Sequence, residues 1–189
     1  YANTPGLKVV VPATPADAKG LLKASIRDND PVIFMESELM YGDKGLVPDG
    51  EYLIPIGKAN IVKPGTDVTI VTFGKMLPRV VLPAVEELAK QGINAEVINI
   101  HTIKPLDVQA ILASVKKTGC VVTAEEHQYN GGLGDSVAQY LAMNHPTPME
   151  FVGVNDSFGE SGKPAELMEK YGLNANAIVE KAIKVMARK

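Results

Sequence analysis

The chain is 189 residues long, room for one or two domains with a sizeable core. Its 46% hydrophobic and 22% charged residues exclude disordered, collagen-like and fibrous chains, and no run approaches the roughly 18 apolar residues of a membrane-spanning helix. A net charge of -3, from 19 basic and 22 acidic residues, leaves no basic footprint for nucleic acid or an anionic membrane. Cys120 stands alone, so neither an internal disulfide nor a cysteine-built zinc site is available, which suits a reducing cytoplasm. The opening at Tyr1, without the regions of a signal peptide, reads as that of a fragment.

Leu7 to Val11, rich in valine and closed by Pro12, reads as a buried strand. Thr14, Pro15 and Asp17 carry the spacing of a capped helix start, and Leu21, Leu22 and Ile26 are expected to share that helix's apolar face. The turn residues Asp28 to Pro31 end it, and Val32 to Met35 forms a second strand, giving a parallel crossover too small to bury a core alone. From Ser37 to Gly57 glycine and proline multiply and periodicity disappears, as in a linker. Beyond it, Ala59 to Val62 and the Val68 to Val71 stretch, separated by Pro64-Gly65, are expected to form a hairpin.

The remainder alternates. A helix from Leu77 to Lys90, a strand from Ala95 to Ile100, a helix capped by Asp107, and a strand from Cys120 to Ala124 come in turn. A helix from Gly134 to Met143, a strand from Met149 to Val154, a short helix from Pro164 to Tyr171 and a last helix capped by Asn174 follow. Its apolar face is Ile178, Val179, Ala182, Val185 and Met186, and its basic end suits the helix dipole. The pattern is α/β, a mainly parallel sheet with helices on both faces.

Glu125-Glu126-His127 with Gly131-Gly132-Leu133-Gly134 is the most pointed constellation. It falls just past the Cys120 to Ala124 strand, where parallel sheets bind ligands, and a glycine turn opening a helix presents amides to an anion. His127 is the candidate catalytic residue; equally, the glycines make a tight turn and the histidine is a structural hydrogen-bonding group. His101, at another strand exit, is either a ligand contact or a histidine bonded in a turn. His145 lies in a surface turn. Asn155 to Gly162 is a polar loop at the ligand edge whose Ser161 lacks a neighbouring His and Asp pair, and it reads as a capping loop for the next helix. At Ser25 to Asp30, helix-end carbonyls and carboxylates gather hard oxygen donors suited to a hard cation, or simply a turn.

Pro5 to Val10, Asp17 to Leu22, Ile26 to Asn29 and Glu36-Ser37-Glu38-Leu39-Met40-Tyr41-Gly42 resemble the β subunit of the thiamine-diphosphate-dependent first component of pyruvate and branched-chain 2-oxo acid dehydrogenase complexes. Ile54 to Ala59, Gly65 to Val71, Ala95 to Asn99 and Thr102 to Asp107 continue the likeness. Thr123 to His127, the Gly131 to Gly134 turn, Asp156 to Gly162 and Leu167 to Leu173 look more like the C-terminal subunit of split transketolases.

The resemblance implies the tail of a pyrimidine-binding domain over residues 1–36, a linker over 37–57 and a transketolase C-terminal domain over 58–189, with a three-layer, mostly parallel five-stranded sheet. It implies a parent enzyme using thiamine diphosphate and magnesium, held mostly by segments outside this stretch. No residue here is assigned to the cofactor, and the stretch alone is expected to be inactive. Expected partners are an α subunit or N-terminal half, a dihydrolipoyl acyltransferase core and a second copy of the chain, with neither nucleic acid nor membrane. A structural potassium ion is implied at main-chain oxygens of Ser25, Ile26 and Asp28 and at Asp30, where aspartate replaces a commoner asparagine and adds charge. A transketolase moving ketol units between sugar phosphates, and a non-catalytic interaction module, are the alternatives.

Overall fold

The computed structural model describes residues 1–189. Its first lobe is built from strand β1 (Lys8–Val10), helix α1 (Pro15–Ile26) and strand β2 (Val32–Phe34). The Thr14 hydroxyl accepts from the Asp17 amide at 3.0 Å, satisfying one of the orphan donors of the first turn, and Pro15 takes the position that needs no donor. β1 and β2 pair in parallel, Lys8 opposite Val32.

The expected apolar face of α1 is corrected. The helix buries Asp17, Gly20 and Leu21, while Leu22 and Ile26 are exposed. With 3.6 residues per turn, adjacent leucines diverge by about 100° and cannot share a stripe. Gly20 sets which stripe turns inward: a Cβ there would lie 2.6 Å from Ile54 Cγ1 and 2.8 Å from Tyr52 Cε2, so only glycine lets the following segment cross the helix this closely. The Tyr52 hydroxyl, donating to the Ala16 carbonyl at 2.8 Å, fixes that crossing.

The second lobe runs β3 (Asn60–Lys63), β4 (Val68–Thr72), a π-helical turn (Leu77–Val81) continuing into α2 (Leu82–Lys90), and β5 (Ala95–Asn99). It continues through β6 (Thr102–Lys104), α3 (Val108–Thr118), β7 (Val121–Gln128), α4 (Leu133–Asn144), β8 (Met149–Val154), α5 (Pro164–Lys170) and α6 (Ala175–Met186). Five of these strands form a sheet in the order β3-β5-β4-β7-β8, parallel except for β3 against β5.

Alternation along the central strands builds the three layers. Val68, Ile70, Val97 and Val122 pack with Val81, Val85, Leu88, Ile178, Ala182 and Val185 of the α2 and α6 layer. Val71, Ile98 and Val121 face Ile111, Val115, Val137 and Leu141 of α3 and α4. Each such side chain contributes about 1.5–3 kcal/mol on full burial, which dominates the stability of the sheet. On the α3 side the Thr69 hydroxyl lies 2.6 Å from both Ser114 Oγ and Thr118 Oγ1, so the one polar position of that strand face is satisfied.

The hairpin of residues 59–71 does not form. β5 lies between β3 and β4, because the fully buried Val68–Thr72 run needs a neighbour on each side, whereas β3 is mostly exposed and suits an edge. Gly65 makes the crossing, its Cα packed against the backbone of Ala95 and Glu96 where a side chain would collide.

β6 was not expected. It leaves the second lobe and pairs antiparallel with β1, Val10 opposite Thr102 and Val9 opposite Lys104, completing a three-stranded sheet β2-β1-β6. The seam is tied further by the Val11 amide donating to the His101 carbonyl at 2.9 Å. Asp17 Oδ2 accepts from the Ala13 amide at 3.1 Å and from Asn99 Nδ2 at 2.9 Å, across the two lobes.

Candidate functional site

Helix dipoles and free backbone groups gather where parallel strands end, so the carboxyl edge is where such sheets bind ligands. Here two carboxyl edges face each other. Val11 and Pro12 beyond β1, Met35 to Leu39 beyond β2, Phe73 to Met76 beyond β4 and Glu125 to His127 on β7 line one cleft of about 730 Å³ between the lobes. Met35, Leu39, Phe73, Met76, Ile103 and Leu133 are among its apolar lining, and its ionisable groups gather as Glu125, Glu126, His127 and Lys75 on one lobe and Glu36 and Glu38 on the other.

Glu125, Glu126 and His127 lie within β7, which extends to Gln128, rather than just past its end. The pairing of β7 with β8 shifts register between Ala124 and Gln128, so contacts rather than simple alternation fix where these side chains lie. Glu125 is buried, and its two oxygens accept from the amides of Leu133 and Gly134 at 2.8 Å each. The anion expected at the glycine turn is thus supplied by the protein itself, which corrects the reading of those amides as free for a ligand. Asp135 takes the Gly131 amide in the same way. Burial pushes the Glu125 carboxyl above the ordinary carboxylate range, against the two amides and the nearby imidazole of His127, which favour the anion.

His127 is exposed at the cleft, with Nδ1 2.6 Å from the Gln128 carbonyl and 3.8 Å from Glu125 Oε2. A carbonyl oxygen only accepts, so Nδ1 carries the proton and Nε2 is left as the acceptor of the neutral ring. In the same cleft, Lys75 Nζ meets Glu126 Oε1 at 2.8 Å. Lys75 was missed in the sequence, where a Phe-Gly-Lys exit from a buried strand was its only signal. Across the cleft, Glu36 accepts from the Tyr41 hydroxyl at 3.0 Å.

The remaining candidates lie elsewhere. His101 is buried at the seam with its Nδ1 unpartnered, and burial lowers its pKa against the opposing charge of Asp17. His145 forms the C-cap of α4. The Asn155 to Gly162 loop is exposed and is pinned by Gln128 Nε2 donating to the Ser157 carbonyl at 2.7 Å; it does not cap α5, whose N-cap Lys163 makes no side-chain bond.

At the end of α1, the Ser25 hydroxyl donates to the Leu21 carbonyl at 2.8 Å, and the Asp28 amide donates to the Ser25 carbonyl at 3.3 Å. Lys8 Nζ sits 2.8 Å from Asp28 Oδ1 and 2.9 Å from Asp30 Oδ2, so one ammonium is already shared by both carboxylates. That pairing raises the Lys8 pKa, through Asp28 first and Asp30 second, and lowers that of Asp28. Nowhere do three or more His, Cys, Asp or Glu side chains gather as a metal site.

The chain matches the family model described as transketolase, pyrimidine binding domain, over residues 1–44, and that described as transketolase, C-terminal domain, over residues 57–178. It is 53% identical over 143 residues to the acetoin:2,6-dichlorophenolindophenol oxidoreductase subunit beta of Cupriavidus necator, covering 76% of this chain and 42% of that one. It is 43% identical over 183 residues to the pyruvate dehydrogenase E1 component subunit beta of Staphylococcus aureus, covering 96% and 56% respectively. The chain therefore spans about half the length of the curated relatives it matches. A solved split-gene transketolase, described as an inactive β4 tetramer, superposes with a TM-score of 0.86 at 37% identity, covering 98% of this chain and 60% of that one. With both family models matched in chain order and the fold shared with the solved transketolase, the chain belongs to the transketolase family, among the relatives of dehydrogenase E1 β subunits.

Proposed function

We propose that these residues are the C-terminal part of a thiamine-diphosphate-dependent 2-oxo acid dehydrogenase β subunit. On this reading residues 1–36 are the tail of the pyrimidine-binding domain, 37–57 the linker and 58–189 the transketolase C-terminal domain. The carrying observation is the likeness to the pyruvate dehydrogenase β subunit, which runs through both lobes and the segment between them, over 96% of this chain. The parent reaction releases CO2 from a pyruvate-type 2-oxo acid and passes the acyl group to a lipoyl disulfide, which is reduced as the acyl carbon is oxidised.

Thiamine diphosphate would supply the electron sink for that chemistry, and by the family resemblance the diphosphate and magnesium are held by the rest of the enzyme. Both lobes of this chain line the cleft. Its apolar walls exclude water, and His127 presents Nε2 to accept or return a proton at a bound ligand. Glu125 anchors α4 behind it. Ser25, Ile26, Asp28 and Asp30 form the potassium corner, with donors of the right hardness but with Lys8 competing for both carboxylates. The partners are an α subunit, the acyltransferase core and a second copy of the chain, in the cytoplasm; no helix is long and apolar enough to cross a membrane.

Ketol transfer is the second reading, favoured by the split-gene transketolase match. The test is an assay of the full-length protein with its α partner for thiamine-dependent decarboxylation of pyruvate and branched-chain 2-oxo acids, for acetoin cleavage, and for ketol transfer from xylulose 5-phosphate. Decarboxylation with lipoyl acylation supports the dehydrogenase; ketol transfer alone overturns it.

A further inference from the structure

We propose that Lys75 is an anion-recognition residue of the cleft, and that Glu126 holds its ammonium until a small organic anion displaces the glutamate. The proposal rests on the cleft being the substrate site, not on which reaction the parent performs.

The Lys75 side chain is only 11% exposed, yet it lines the cleft and has one charged partner, Glu126, which is 43% exposed at the end of β7. An ammonium so far out of water needs a counter-charge, but nothing fixes which one supplies it. Glu126 is poorly fixed. Its carboxylate is half-exposed and takes no part in the bonds to the Leu133 and Gly134 amides, which belong to Glu125, so a change of its rotamer leaves those bonds intact. The other carboxylates nearby are engaged or stand opposite: Glu125 is bound by the amides, Glu36 accepts from Tyr41, and Glu38 belongs to the facing lobe.

An incoming carboxylate or phosphate makes the same charge-assisted bond that Glu126 makes now. Phe73, two residues before Lys75 on the same exit loop and only partly buried, offers apolar surface to the carbon skeleton behind that anion. Glu126 thereby fills the subsite when no ligand is bound and spares the protein an unpaired buried cation. A salt bridge that served only to hold the loop would behave differently, because losing either partner would then have the same consequence.

The experiment is a calorimetric titration of the full-length protein with its α partner, with pyruvate in one series and xylulose 5-phosphate in another. Glu126→Gln is expected to bind the anion about three- to tenfold more tightly, by removing the internal competitor, while Lys75→Met abolishes the response and Lys75→Arg keeps part of it. A stronger pyruvate response identifies a carboxylate subsite, and a stronger sugar-phosphate response a phosphate subsite. Weakening by both Glu126→Gln and Lys75→Met, or a response untouched by Lys75→Met, overturns the proposal. Should Lys75→Met fail to fold by thermal melting, the pair Glu126→Gln and Lys75→Arg decides it, since an unchanged or weaker affinity in Glu126→Gln is itself fatal. Preserved anion binding with no decarboxylation overturns the dehydrogenase reading alone. Intact decarboxylation with no Lys75-dependent binding overturns only the subsite.

Discussion

Glu125 and Gly132 are matched in space: a Cβ on Gly132 would lie 2.6 Å from the Gln128 carbonyl oxygen and closer still to Glu125 Oε2. The glycine is there so that a carboxylate can reach under the first turn of α4. Gly132→Ala is therefore expected to cost about 2–4 kcal/mol in urea unfolding, by overpacking and by displacing the carboxylate. Gly131→Ala has open space around it and a φ of 76°, so it costs only about 1 kcal/mol. Equal losses at the two glycines would show that the Glu125 contact does not set the requirement.

Glu125→Gln keeps the volume but offers one acceptor to two amides. One buried N–H is left unpaired, and the expected loss is about 1–3 kcal/mol, with faster hydrogen exchange at Leu133 or Gly134. Unchanged protection at both amides would refute this.

If His127 acts at the ligand through Nε2, as proposed, His127→Gln in the parent enzyme lowers kcat about 10²-fold while leaving thermal stability near the original value, because the ring is exposed. A purely structural histidine would show the reverse, a lower Tm with kcat intact.

The buried His101 makes the seam sensitive to mild acid. Burial lowers its pKa in the folded state, so between the folded value and the unfolded value of about 6.5 the unfolded chain binds more protons. Stability therefore falls as pH drops below about 6.5, and His101→Gln flattens that slope. Glu96 and Glu150 act in a lower window. Burial works against their charge, but Lys117 and Ser114 on Glu96, and Lys181 and Lys184 on Glu150, hold both carboxyls below the ordinary range, so their contribution is lost only below about pH 4.5. Urea midpoints from pH 4 to pH 8 separate the two; a slope surviving in His101→Gln above about pH 5 would assign it to other groups.

The parts of the fold legible in the sequence are those where one local signal coincides with burial. Thr14, Asp107 and Asn174 cap their helices through side-chain oxygens, and the β-branched run Val68 to Thr72 forms a strand. The failures are nonlocal. Nothing in Thr102 to Lys104 says that it will pair with β1, almost a hundred positions earlier, and Pro64-Gly65 looks the same whether it closes a hairpin or carries the chain past β5. At the site, the glutamate, the histidine and the glycines were visible as a cluster. What they do to one another depends on β7 running on to Gln128, which sends Glu125 under α4 and Glu126 toward Lys75.

The potassium corner gives the last prediction its sign. Lys8 bridges the Asp28 and Asp30 carboxylates, and Asp30 is one of the ligands implied for potassium beside the main-chain oxygens of Ser25, Ile26 and Asp28, so the native chain is expected to gain little from potassium. Lys8→Met removes the ammonium and leaves two carboxylates beside the carbonyls at the end of α1. Without salt that variant is destabilised by like-charge repulsion at the helix end, where the dipole is also negative. Potassium should then restore it, by about 1.4 kcal/mol at a concentration tenfold above its dissociation constant. Thermal melts in potassium against sodium chloride at equal ionic strength separate specific binding from screening. A Lys8→Met variant rescued equally by both salts would mean that the corner attracts cations only diffusely; selective rescue by potassium would show that the oxygens of Ser25, Ile26, Asp28 and Asp30 form a site that Lys8 holds closed.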